Sequence, residues 1–184
     1  MIEKMKKFSC FFLALCIVFL LAACDSGGGS DDDDNIPVDP YPAIAVDPFL
    51  PDEFAGLNGV LYKSDLDIEE EDVSGVTYVT KDLNSVYFFD NSTFVSTSTK
   101  IYVNKSTGVV NDALTEKERE AKGTFTKTGS YSDGTLNISR THEWEDDPAP
   151  AHWEEDPEAK SFTVKGGVFT ITESGITIKY TLSS

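Results

Sequence analysis

Thiols are almost missing from this chain. Its three cysteines, Cys10, Cys16 and Cys24, all fall within the first 24 residues. Nothing beyond Cys24 can close a disulfide or supply a thiolate nucleophile, so a domain built from the remainder must be held by its own core. Positive charge is scarce too: 15 Lys and Arg stand against 32 Asp and Glu, a net charge of −17. A chain with no basic stripe is not expected to bind nucleic acid. Catalytic signatures are also missing. There is no Gly-x-Ser-x-Gly elbow, no Gly-rich phosphate loop and no His-Glu-x-x-His. A Ser–His–Asp set or a carboxylate pair exists by composition alone, which leaves a small hydrolase as a weak third reading; no enzyme is expected.

What the N-terminus does contain is specific. Lys4, Lys6 and Lys7 form a basic start, and the apolar stretch Phe8 to Leu21 is too short and wrongly flanked for a membrane span. Leu21-Ala22-Ala23-Cys24 then resembles the lipobox of bacterial lipoproteins. The resemblance implies cleavage after residue 23, lipidation of Cys24 and a membrane partner reached through that lipid. Each buried CH₂ contributes roughly 0.8 kcal/mol and one acyl chain anchors only marginally; the family carries two or three. An ordinary secretory signal with a chance cysteine is the bland alternative. The address implied is the bacterial cell envelope, the outer membrane ahead of the inner. The acidic run after Cys24 resembles the tethers of surface lipoproteins, whereas Asp25 resembles an inner-membrane retention residue.

With the leader removed, 12 bases face 31 acids. The acids are clustered: eight in residues 25–52, six in 65–72 and eight in 142–158. The first cluster coincides with a Gly, Ser and Asp run that cannot bury enough apolar surface to offset its ordering entropy, followed by Pro37, Pro40, Pro42, Pro48 and Pro51. Residues 24–52 therefore read as an acidic, Pro-rich tether of about 28 residues, with an r.m.s. span of about 30 Å if flexible. A folded domain is expected over 53–184.

That domain reads as all-β. Val76 to Thr80, Ser85 to Phe89 and Thr93 to Thr99 are β-branched and aromatic runs, the last two separated by Asp90-Asn91-Ser92. Asp133-Gly134 and Gly166-Gly167 mark tight turns. Ile176, Ile178, Tyr180 and Leu182 alternate with polar residues, as a half-buried strand requires. The apolar run Val86-Tyr87-Phe88-Phe89 requires both faces of its strand to be covered, or one face to line a lumen. Asp65 to Asp72, with Leu66 and Ile68 alternating among acids, reads as a charge-protected strand edge rather than a cation site. One short exposed helix is expected over Glu116 to Lys122, behind the capping-box spacing of Thr115 and Glu118. Seven to nine short strands suggest an antiparallel meander forming a small barrel or sandwich. The recurring Gly123-Thr-Phe125, Gly129-Ser-Tyr131 and Gly134-Thr-Leu136-Asn-Ile138, with Phe88 to Phe94 before them and the Gly-Gly hairpin after, resemble the small lipocalin-like domains of bacterial lipoproteins over roughly residues 54–184. Gly56-Leu57-Asn58-Gly59 stands where that family opens with Gly-x-Trp. The resemblance implies a barrel that is either filled by its own side chains, the reading favoured for a domain of this size, or holds one small apolar ligand.

Two candidate sites follow. A barrel mouth would be lined by Tyr87, Phe89 and Phe169, for a small apolar ligand. The near repeat His142-Glu-Trp-Glu-Asp-Asp-Pro and His152-Trp-Glu-Glu-Asp-Pro holds both histidines and both tryptophans. It reads as an acidic hairpin loop in which Trp144 and Trp153 could contact a ligand or protein partner. A divalent cation on His142, Glu143, Asp146, His152 and Glu155 is the sharper alternative, since carboxylates suit calcium and imidazoles suit zinc or copper; no other cofactor is expected. The leading expectation is a lipid-anchored, non-catalytic β-barrel binding domain, and the second is a surface interaction or adhesion module using the Trp/His loop.

Overall fold

The apolar run at Val86 to Phe89 explains the architecture, because the structure covers both of its faces. The computed structural model describes residues 39–145, 150–173 and 176–183. They form one nine-stranded antiparallel sheet, a meander that curls into a nearly closed barrel, with one 3₁₀ turn at Asp52–Phe54 as the only described helical element.

The strands follow chain order: β1 (Gly59–Ser64), β2 (Asp67–Val73), β3 (Val76–Phe89), β4 (Thr93–Asn104), β5 (Glu116–Gly129), β6 (Gly134–Glu145), β7 (His152–Val164), β8 (Val168–Glu173) and β9 (Ile176–Leu182). The spatial order is β7-β6-β5-β4-β3-β1-β9-β8, with β2 beside the first half of β3 and β1 beside its second half. The curl brings β7 next to β8, which the chain also joins through Gly166-Gly167, both at positive φ. Among the described residues this seam holds one bridge pair, Lys165 with Val168. Beyond it the strands are joined by side chains, Phe162 packing on Phe169 at 5.4 Å between ring centroids.

Alternation along β3 sorts its residues. Val86 and Phe88 point into the barrel, where they meet Tyr62, Phe94, Phe125, Leu136, Val164, Phe169 and Tyr180. Phe88 meets Phe125 edge-on at 4.8 Å and Tyr180 stacks on Phe169 at 5.1 Å. This half of the interior is filled by its own rings. Burying each such side chain contributes about 1.5–3 kcal/mol, which answers the need created by the missing disulfides.

The other face of β3 carries Leu83 and Phe89, and that of β4 carries Val95, Ile101 and Val103. A strap, residues 39–57, covers them. Val46 lies on Leu83, Ile101 and Val103, and Phe54 lies on Phe89 and Val95. Lys81 fastens the strap. It projects from the same face, is 0% exposed, and donates to Asp39 Oδ2 at 2.7 Å, Tyr41 O at 2.5 Å and Ile44 O at 2.8 Å.

Three sequence expectations are corrected. The tether does not run to residue 52: from Asp39 onward the chain is packed on the sheet, because Tyr41, Ile44, Val46 and Phe54 supply the apolar face that its prolines alone do not suggest. The expected helix over Glu116 to Lys122 is part of β5, where pairing along β4, joined by β6 from Ala121 onward, overrides helix propensity. The expected runs at Val76 to Thr80 and Ser85 to Phe89 are a single strand of 14 residues. The hairpins at Asp90 to Ser92, Asp133-Gly134 and Gly166-Gly167 stand where the turn residues put them, and Asp67–Val73 forms a strand beside β3.

Candidate functional site

The interior has a second half, and it is polar. The alternation that sends Val86 and Phe88 inward also sends Asp82 and Asn84 inward. On β4 the corresponding residues are Ser96, Ser98, Lys100 and Tyr102. On β5 they are Glu116, Glu118 and Glu120, since Arg119 lies opposite Thr97, which bonds the strap at Phe49 O.

A line of irregularities crosses this half. The β4–β5 register shifts between Ser96 and Thr97, leaving Glu120 as the extra residue of a bulge. The β5–β6 register shifts at Lys122/Gly123, with Thr141 as the extra residue, and the β6–β7 register shifts between Arg140 and His142. Bulges bend the strand and re-aim side chains. Here they set Glu120, Glu143 and Arg140 on the concave face.

The charges are unevenly matched. Lys100 Nζ bonds Glu71 Oε2 at 2.9 Å, and Tyr102 OH donates to Glu116 Oε1 at 3.2 Å. Arg140 bonds Asp156 at 2.6 Å and Glu158 at 3.2 Å, with Glu143 at 3.9 Å. Asp82 Oδ1 is buried and has no hydrogen-bond partner. Burial, reinforced by Asp67 and Glu116 against the pull of Lys100, pushes the Asp82 carboxyl up to about 6. Burial, with Asp82, Glu118 and Glu143 nearby, pushes Glu120 up to about 7 despite a bond from Ser96. Glu143 also rises to about 7, through burial and then a hydrogen bond shared with Asp156. The Tyr180 hydroxyl is held well above its ordinary value by burial and by the charges of Glu120 and Asp82. The interior thus holds carboxyls whose proton affinity burial and neighbouring acids raise above the ordinary carboxylate range.

The expected site residues are dispersed. Tyr87 and Phe89 lie under the strap, whereas Phe169 lies inside the barrel. One mouth lined by all three is ruled out by strand parity. Two concavities on the described surface, of about 390 and 480 Å³, are open to solvent; the first lies over Thr124, Asn137 and Ser161, the second beside Asp90, Lys127 and Tyr131.

The expected acidic loop is largely strand. Trp144 pairs directly with Trp153 across β6 and β7, their rings edge-on at 5.0 Å. Arg119 lies over the Trp144 ring at 4.7 Å and Lys122 over Trp153 at 4.3 Å, the geometry of cation–π attraction. Both tryptophans are half-buried, Trp153 against the cluster of Phe54, Phe89 and Val95. The pairs His142↔Glu155, Glu143↔Glu154 and Glu145↔His152 put His142 and Glu155 on the strap side, and Glu143 and His152 on the other. Asp146 and Cys24 lie outside the described residues. Among the described residues, no three His, Cys, Asp or Glu side chains form a group able to hold a metal ion, so His142, Glu143, His152 and Glu155 do not form one among themselves. His142 Nδ1 instead lies 2.9 Å from Thr141 Oγ1, and His152 Nδ1 3.1 Å from Pro150 O.

No protein-family model, curated protein or solved structure matches the chain.

Sequence reading missed Asp82, Glu120 and Lys81. The signal for Glu120 was present in Glu116-Lys117-Glu118-Arg119-Glu120, where acid and base alternate with the period of a strand. The signal for Lys81 was a lone cation inside a β-branched run.

Proposed function

We propose that this chain is a bacterial envelope lipoprotein, anchored through Cys24, whose lipocalin-like β-barrel acts by binding and not by catalysis. The observation that carries the reading is Leu21-Ala22-Ala23-Cys24, with only residues 25–38 between the cysteine and the first described residue of the domain. The apolar end of the barrel is packed with its own aromatic rings, which favours recognition by the barrel's surfaces and polar end over capture of an apolar ligand in a lumen. Non-catalytic action is supported by the histidines. Each ring is engaged locally, His142 with Thr141 and His152 with the Pro150 carbonyl, and His142 stands on the opposite side of the sheet from the interior acids Asp82 and Glu120, whereas His152 stands on their side.

A protein-contact role gains support from the Trp144–Trp153 pair. Arg119 and Lys122 already occupy ring faces there, which suits a partner met through the exposed edges of the pair better than a sugar stacked on its faces.

The test is metabolic labelling with radioactive palmitate, followed by membrane fractionation of the wild type and Cys24→Ser. The wild type takes up label and sediments with membranes, and the variant does neither. Failure of label to reach the wild-type chain, or unchanged fractionation of Cys24→Ser, overturns the anchor.

A further inference from the structure

The interior acids have a geometric consequence independent of the anchor. Asp82 on β3 and Glu120 on β5 face the same polar space from strands separated by β4 alone. The cations near them are committed elsewhere: Lys100 to Glu71, and Arg140 to Asp156 and Glu158. The groups that face this pair's side of the sheet are Asp67, Glu69 and Glu71 from β2, Lys100 and Tyr102 from β4, Glu116 and Glu118 from β5, Arg140, Glu143 and Glu145 from β6, His152, Glu154, Asp156, Glu158 and Lys160 from β7, and the Tyr180 hydroxyl from β9. Acids outnumber bases in that company. The barrel also has a weak joint, the β7–β8 seam, with its bridge at Lys165–Val168 and side-chain packing in place of a full ladder.

We propose that the polar end of the barrel is a proton-operated gate: with Asp82 and Glu120 protonated the sheet stays closed, and their ionisation drives the β3 and β5–β7 walls apart at the β7–β8 seam.

The direction follows from linkage. Both carboxyls hold their protons more tightly in the closed barrel than in an opened or unfolded chain. Closure is therefore fully favoured below the ordinary carboxylate range and weakens as pH rises through about 6 to 7. If opening returns Asp82 to its ordinary acidity, the proton it loses there multiplies the opening constant by about a hundred between pH 4 and 8. The Tyr180 hydroxyl, held well above its ordinary value by burial and by the charges of Glu120 and Asp82, stays neutral throughout.

The experiment is hydrogen–deuterium exchange on the full chain at pH 5 and pH 8, corrected for the intrinsic base catalysis of exchange, for the wild type and for Asp82→Asn/Glu120→Gln. In the wild type, protection of the β7 and β8 amides falls by about tenfold or more at pH 8, while the β3–β4 amides hold. In the double variant the pH dependence disappears. Equal corrected protection of the wild type at the two pH values overturns the proposal, as does an undiminished pH response in the variant. If the double variant does not fold, the wild type decides: carboxyl-carbon NMR titration of Asp82 and Glu120 in step with the loss of β7 and β8 protection supports the gate, and titration near 4, or protection that does not follow the titration, overturns it.

Discussion

Replacing Lys81 with methionine should free the strap from the sheet. The Lys81 ammonium is wholly buried and makes three strong bonds, one to Asp39 and two to the carbonyls of Tyr41 and Ile44. Methionine keeps most of the apolar stem and removes all three donors, leaving one carboxylate and two carbonyls facing a side chain that cannot bond them. Removing one member of a buried ion pair costs about 3–5 kcal/mol. Asp39 is 18% exposed and the strap can lift to rehydrate it, so the net cost should fall lower, at about 2–3 kcal/mol. Asp39→Ala should cost a similar amount for a different reason, since the ammonium left behind is sealed under Tyr41 and Ile44 and can reach water only if the strap rises. Two assays read this. Denaturant unfolding gives the stability loss, and limited chymotrypsin digestion reports strap release as new cleavage after Phe49 and Phe54, since Pro42 protects the bond after Tyr41. If Lys81→Met unfolds within about 0.5 kcal/mol of the wild type, a margin typical of neutral surface substitutions, and its strap resists protease equally, the clamp has no energetic role. The clamp also has a pH signature. The hydrogen bonds from Lys81 and Tyr41 N, and the Lys81 charge, outweigh burial and hold the Asp39 carboxyl below its ordinary value. Its contribution is therefore present above the ordinary carboxylate range and is lost as pH falls through that lowered value. Strap release by acid is thus opposite in sign to gate opening by base.

Other substitutions test the packing. Leu136→Ala empties a site with no exposure at the centre of the aromatic core and should cost about 2–5 kcal/mol by thermal or denaturant unfolding; a loss under about 1 kcal/mol would mean that the interior collapses to refill the space. Gly123→Ala places a methyl 2.1 Å from Ser139 O and 2.9 Å from both Arg140 Cα and the Phe94 ring. Neither backbone nor ring can yield cheaply there, so a loss of at least about 1–3 kcal/mol is expected, along with disturbed amide exchange across the β5–β6 bulge. A neutral Gly123→Ala would refute the tight β5–β6 approach.

The strands and turns were legible because their signals are local. Asn91-Ser92, Asp133-Gly134 and Gly166-Gly167 specify turns through backbone preference alone, and β-branched runs specify the strands between them. Glu116 to Lys122 was misread because glutamate, lysine, arginine and alanine favour helices when nothing else acts. The alternation of acid and base was the better guide, since β4 claims the backbone hydrogen bonds of this part of β5. The acidic repeat at 142–157 was misread for a related reason. Glutamate and aspartate are poor strand formers, and the segment becomes a ladder through the pairing of β6 with β7, in which Trp144 meets Trp153.

By itself the sequence determined the lack of any thiol beyond Cys24, the all-β character and most of the turns, since each depends on the chemistry of a few adjacent residues. Tertiary structure alone decided which side of each strand is inside. That depends on register, bulges and the covering strap, and one residue of slip moves every side chain to the opposite face. For this reason Tyr87 and Phe89 left the expected ligand mouth, Lys81 became a buried clamp, and Asp82 and Glu120 met in the interior although 38 positions separate them along the chain.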